Sequence, residues 1–274
     1  MPTFDTPEPI SVTVELGVGD LQIAASDRAD TVVEVEPSDP AKPSDVAAAA
    51  KTTVEYANGV LRIKAPKGWR RYSFRGGAES IDARIQLPAG SHLRGEAGLA
   101  DLRCSGALGE CRYKTGAGDI TIEQISGGTE LATGSGAVAV DRIGGSATVK
   151  NGNGDAWIGE VVGDLQVKAA NGKVAVDHAR AAVTAKTANG DIHLDEVASG
   201  AIVAETACGK VDIAVRSGVA AWLNLHTGFG HVQNLLDVSE RPGPSEQTVE
   251  VRAHSAFGDI TVRRADIGSG QGAA

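Results

Sequence analysis

A run of glycine-bearing turns at a fixed spacing limits what this chain can fold into. Taking the second glycine of each GxG-like turn as an anchor, Gly118, Gly136, Gly154, Gly172 and Gly190 follow one another at 18 residues, and Ala100 holds the same position one interval earlier. The pattern then loosens to Gly209, Gly230 and Gly258, in the related texts "TACGKVDI", "HTGFGHVQ" and "HSAFGDIT". A repeat of this length marks a stack of short units, none of which can bury its apolar face alone.

Within each unit the apolar residues alternate, which specifies strands and not a helix. At two and four residues past the anchor stand Leu102/Cys104, Ile120/Ile122, Val138/Val140, Ala156/Ile158, Val174/Val176, Ile192/Leu194 and Val211/Ile213. At eleven and thirteen stand Cys111/Tyr113, Thr129/Leu131, Ala147/Val149, Leu165/Val167 and Val183/Ala185. A further apolar column at seven (Ile125, Ile143, Val161, Ala179, Val197) fits a corner between the two strands.

Three hexapeptides per turn would put apolar columns six residues apart. The column at eight fails, because it holds Ser126, Gly144 and Arg180. Two strands per turn remain, and the expected fold is all-β: a two-sheet β-solenoid with about 18 residues per turn. Its rungs would lie about 4.8 Å apart and its sheets about 10 Å apart, a gap that Val, Ile and Ala fill well. The 35 glycines of the 274-residue chain thereby acquire a cause. They show no three-residue period of collagen type, and the Val, Ile, Leu and Ala between them argue against disorder.

The flanks read as caps. Residues 1–94 form an irregular β cap region continuous with the solenoid at 95–265, and 266–274 reads as a disordered tail. Strands are expected near Ile10–Glu15, Leu21–Ala25 and Thr31–Val35, followed by a short helix through "DVAAAAK" capped by Ser44. Asn58-Gly59 suits the type I′ turn of a hairpin with arms Thr53–Tyr56 and Val60–Ala65. "SIDARIQLPAG" supplies another strand, and Asp237–Gln247 is an excursion between the last two rungs.

Few chemistries find support. Each GxGD turn runs into a strand, whereas a dinucleotide site needs a helix there. Just past the anchors, Asp155, Lys173, Asp191 and Lys210 alternate in sign, which favours stacking and argues against a calcium ladder. Asn153, Asn171 and Asn189 read as a structural amide ladder. Cys104 and Cys111 fall on inward columns as buried thiols, with Cys208 at a turn. His226, His231 and His254 read as polar turn residues of the last rungs, so no metal, cofactor or catalytic set is assigned. Nucleic acid is disfavoured by a net charge of -9, despite one basic aromatic segment, "KAPKGWRRYSFRGG". No stretch is apolar enough for a membrane span, and no export signal is read at the N-terminus, so a cytoplasmic location is expected.

The outward columns differ in sign. One carries Glu123, Asp141, Asp177, Asp195 and Asp212, with Trp157 and His193 among them; the other carries Arg112, Lys114, Lys150, Lys168 and Lys186 against Glu130. An acidic and a basic face are expected, suited to docking a protein partner, a second copy or an anionic partner. The candidate binding residues are therefore Trp157, His193, Arg112, Lys114, Lys150, Lys168 and Lys186.

The segments "SIDARIQLPAGSHLRGEAGLADL", "TGAGDITI", "NGNGDAWIGEV" and "TANGDIHLDEV", with the closing "LHTGFGHVQNLL" and "HSAFGDITVRRA", resemble the bacterial putative-adhesin family of β-strand-repeat proteins over roughly residues 10–265. The resemblance implies a single-stranded, right-handed β-solenoid and transfers no catalytic residue. The resulting expectation is a non-enzymatic interaction or scaffold module. Its alternatives are a self-assembling filament protein of the bactofilin kind and a protein that binds carbohydrate or an anionic polymer.

Overall fold

The structure, a computed structural model, describes residues 1–66, 79–236 and 248–265. These are almost entirely β, and the chain divides into two compact units: Met1–Gly145 with Val149–Asn153, and Ser146–Thr148 with the chain from Gly154 onward. Each unit is a β-solenoid built from parallel strand pairs. The "KAPKGWRRYSFRGG" segment lies mostly outside the described residues, as do the excursion at 237–247 and the tail.

In the first unit, Cys111–Ala117 pairs in parallel with Thr129–Ser135, and Ile120–Ile125 with Val138–Ile143. Partners are 18 residues apart, for example Leu131 with Tyr113 and Val138 with Ile120. The expected inward columns are the core: Leu102, Ile120, Ile122, Leu131 and Val140 are fully buried, as is the corner column of Ile125 and Ile143. Tyr113 is also fully buried, and Gly95 lies opposite it in the register. A Cβ on Gly95 would stand 2.6 Å from the tyrosine ring, so this glycine makes room for the one fully buried aromatic among the described residues.

The anchor glycines have a different reason. Gly118 and Gly136 take φ of 136° and 139°, a region L side chains rarely adopt. A Cβ on Gly136 would also stand 2.3 Å from the carbonyl oxygen of Gly118. At these two turns the coils nest so closely that only glycine fits, whereas the earlier anchor position is taken by Ala100.

The N-terminal region carries the same coil geometry. The two strands expected near Ile10–Glu15 and Leu21–Ala25 are one strand, Ser11–Ser26, paired in parallel with His92–Leu108 from Ser11–His92 to Ala24–Ser105. Gly19, φ 138°, falls opposite Ala100 and is this coil's anchor. The other edge of Ser11–Ser26 is covered by Val60–Lys64 and Ile81–Pro88. Antiparallel strands follow outside: Thr53–Ala57 on Val60–Lys64 through the Asn58-Gly59 turn, Asp30–Pro37 on Ile81–Pro88, and Thr3–Asp5 on Asp30–Pro37. Both turn residues have positive φ, as a type I′ hairpin requires.

The short helix forms at Pro43–Lys51, but Ser44 does not cap it. Pro43 presets the first turn and Lys42 is the N-cap residue, without a side-chain cap. Buried Asp45 pairs with the Lys42 ammonium at 3.0 Å and accepts the Ser80 N–H at 3.2 Å. Burial alone would raise its pKa. Lys42, Ser80 and Ser44 outweigh that and hold it below the ordinary aspartate value.

In the second unit one sheet runs through Leu165–Asn171, Val183–Asn189 and Gly200–Cys208, and the other through Ala156–Val161, Val174–Ala179, Ile192–Val197 and Val211–Val215. Chain order then fails. The strand next to Gly200–Cys208 is Thr248–Phe257, and Ala220–Phe229 pairs on its far side. In the other sheet Ile260–Arg264 lies between Val211–Val215 and Val232–Asn234. The last coil in sequence is inserted before the one that precedes it, so 220–234 is the terminal coil. Arg264 fastens the crossover by donating to the carbonyls of Arg216 (3.2 Å) and Val219 (2.7 Å).

Candidate interaction faces

Two polar columns hold the turns together and are unavailable for other work. Three residues before most anchors an inward polar side chain donates to the carbonyl of the preceding anchor, Ala169 before Gly172 being the exception. Thr133 reaches Gly118 O at 3.0 Å, Asn151 reaches Gly136 O at 3.0 Å, Thr206 reaches Gly190 O at 3.0 Å and Ser255 reaches Gly209 O at 3.0 Å. Thr227 bonds Gly258 O at 2.8 Å, which again puts the Gly230 turn after the Gly258 turn. These side chains satisfy carbonyls that burial would otherwise leave costly.

The second column is the aspartate that follows the anchor. Asp101 accepts the Asp119 N–H (2.9 Å), Asp119 the Ala137 N–H (2.7 Å), Asp155 the Lys173 N–H (2.7 Å), Asp191 the Lys210 N–H (2.7 Å) and Asp259 the His231 N–H (2.9 Å). The repeating partner is thus a backbone amide one coil on, and opposite side-chain charge is not what recurs. That is why Asp, Ala, Lys and His all occur at the receiving position. The amide of His231 is the foremost cause holding Asp259 below the ordinary carboxylate value. The expected Asn ladder is present where Asn189 donates to Asn171 at 2.8 Å.

Outside these columns, the second unit carries a built outer face. Trp157 projects outward, 37% exposed, opposite Ala175, and its indole N–H donates to Asp177 at 3.0 Å. Partial burial is the main reason that Asp177 has a raised pKa, with Asp195 adding to it and the Trp157 bond opposing. Farther along, His193 Nδ1 stands 3.7 Å from Asp212, and the Arg263 guanidinium bridges Asp212 (3.3 Å) and Asp195 (3.5 Å). Arg263 became part of this face only because its coil is inserted next to Val211–Val215, a placement that chain order conceals.

The basic columns are less uniform than the sequence suggested. In the first unit Arg112 lies between Arg94 and Glu130, and Lys114 lies opposite Glu96 and reaches Glu130 at 3.5 Å. Lys150 is exposed on Ala147–Asn153. In the second unit Lys168 is beside Lys186, which pairs with Glu205 at 2.7 Å. Glu96, Glu130 and Glu205 therefore interrupt the positive charge. The first outward column is likewise divided, with Glu123 accepting the Gly106 N–H at 2.7 Å.

The remaining candidates stay separate. Cys104 and Cys111 are buried free thiols, Cys111 pushed up to about 12 by burial, while Cys208 is exposed beside Asn189. His226 and His254 stack face to face at 5.3 Å, and His231 stands 3.5 Å from Asp259. Among the described residues no group of three His, Cys, Asp or Glu side chains is placed to hold a metal, and no helix is long and apolar enough to cross a membrane.

The solved structures similar to this chain include two described as adhesion proteins. One is described as a putative cell adhesion protein from Clostridium sporogenes (13% identity, covering 96% of this chain and 98% of that one, TM-score 0.23). The other is described as a putative adhesin from Bacteroides fragilis (12% identity, 96% of each chain, TM-score 0.35). No curated protein is significantly similar. The Toastrack DUF4097 family model matches residues 9–266, nearly the whole repeat-bearing chain, and the chain belongs to that family.

Proposed function

We propose that this chain is a non-enzymatic interaction or scaffold module that docks a protein partner on the outer face of the second unit. The observation that carries the reading is Trp157. A large apolar ring stands on an exposed sheet face, opposite an alanine, and is fixed by Asp177. Ordering an indole before a partner arrives lowers the entropic cost of binding, and a rigid aromatic flanked by charge has the composition of an interface anchor. Asp195, Asp212, Arg263 and His193 extend the contact as a polar rim. The recurrent aspartates and threonines support a non-catalytic reading, since they are engaged in holding turns. A cytoplasmic setting belongs to the same proposal and fits three unpaired thiols.

Capture of partners from the native cell by the intact chain and by Trp157→Ala, compared by mass spectrometry, tests this. A partner retained by the first and lost from the second is expected. Identical partner sets, with both proteins folded, would sink the reading.

A further inference from the structure

We infer that the terminal coil of the second unit is a self-association edge that pairs antiparallel with the same edge of a second copy. This contact is distinct from the Trp157 face and does not depend on it.

The coil is open. Ala220–Phe229 pairs only with Thr248–Phe257, and Val232–Asn234 only with Ile260–Arg264, among the described residues. A row of backbone donors and acceptors therefore faces away from the stack. The core ends there too: Leu223 and Leu225 fall over Val251 and Ala253, and Val232 over Ile260, each only partly covered. Trp222 and Phe229 are 61% and 71% exposed, the latter stacked on Phe257 at 5.0 Å with its other side uncovered.

Sheet edges in monomeric proteins are blunted by Lys, Glu, Pro, bulges or covering strands. Among the described residues this one has none of these. Residues 220–236 contain no Asp, Glu, Lys or Arg and no proline, whereas the inner coil at 248–264 carries Glu250, Arg252, Asp259, Arg263 and Arg264. Neither nearby segment of the chain has the chemistry of a covering strand. Residues 237–247 (DVSERPGPSEQ) hold two prolines and four charges, and 266–274 (DIGSGQGAA) offer one large apolar side chain.

Charge selects the second copy. A two-fold contact sets a surface against itself, so any net charge on it meets like charge; an edge without charge meets no such penalty. A two-fold axis perpendicular to the sheets also keeps inward residues facing inward. With Asn224 on that axis, Leu223 meets Leu225 of the second copy and Trp222 meets His226, closing the open core end.

Sedimentation of the full chain across a concentration series tests the proposal. A reversible dimer is expected that persists in about 1 M salt, where contacts between charged faces would be screened. Asn224→Lys brings two ammonium groups together at the axis and should weaken the dimer by at least about tenfold. Trp222→Lys, at an exposed outward position, should do the same, and melting curves would establish that each variant folds. A monomer at all concentrations overturns the proposal. So does a dimer that both folded variants leave intact, or one that dissolves in high salt. Loss of partner capture in Trp157→Ala with an unaltered dimer separates this edge from the Trp157 face.

Discussion

The coil at Ser11–Ser26 and the coil at 220–234 are built on the same turn geometry and finished in opposite ways. On the first, Val60–Lys64 and Ile81–Pro88 cover the outer edge, antiparallel strands lie beyond them, and a helix whose buried Asp45 pairs with half-buried Lys42 packs alongside. The second has an uncharged strand, exposed Trp222 and Phe229, and a partly open core. A coil of this geometry can thus be closed by local antiparallel structure or left as a template, and the choice lies in the sequence flanking the repeat.

Substitutions at equivalent anchors should break this comparison most sharply. In Gly172→Ala the new Cβ would sit 2.1 Å from Gly154 O, at φ 135°. The paired coils around it cannot separate, so a loss of at least about 4 kcal/mol is expected in urea denaturation. Gly230→Ala meets Gly258 O at 2.2 Å, yet the terminal coil can detach from one neighbour. Its cost should appear as local opening with a smaller loss of global stability, and equal losses at the two sites would contradict the open-end account.

The polar column gives a smaller contrast. Thr133→Val leaves the Gly118 carbonyl without its buried donor and should cost about 1–2 kcal/mol. Thr227→Val at the terminal coil should cost well under half of that, because Thr227 is half-buried where Thr133 is buried. At the covered end, Asp45 adds a pH signature. Its pKa is lower folded than unfolded, so its stabilising contribution is present above the unfolded value, near about 3.9, and is lost as pH falls through the folded value. Asp45→Asn should therefore be less stable than the parent at neutral pH, with the gap closing below about pH 4. Thiol labelling gives the smallest effect: Cys208 should react at once and Cys104 and Cys111 only on unfolding, since burial holds Cys111 far from its thiolate.

Much of the architecture was legible because it is periodic. The anchors, the inward columns and the corner column could be read from spacing alone, and the buried residues fall on them. Trp157 and His193 could also be placed on one outward face, though not their partners. The first coil was obscured because cap structure is inserted between Gly19 and its partner Ala100, 81 positions on, a separation that leaves no period. The aspartates' role escaped because their partner is a backbone amide, which carries no sequence signature. The polar column before the anchor is visible as recurring Thr and Asn, but its partner is a backbone carbonyl, which spacing does not reveal.

Coil order is the deepest omission. Both late coils alternate in the same way, so spacing favours neither for the inner place. In the core itself Asn234 distinguishes them, since it stands at the position held by Val262 and Ile213 in the neighbouring coils. An amide there is tolerable only where water reaches it, and Asn234 takes that place, accepting the Leu236 N–H at 3.0 Å. Inserting 248–264 also delivers Arg263 to Asp195 and Asp212, which completes the outer face.

Amide hydrogen exchange on the monomeric Asn224→Lys variant, resolved separately for 220–229 and 248–257, tests the inserted coil and open edge most directly. Strong protection of 248–257, held between two strands, with rapid exchange across 220–229, is the predicted result. The reverse order of protection would show the coils stacked as they occur in the chain, and would contradict the account.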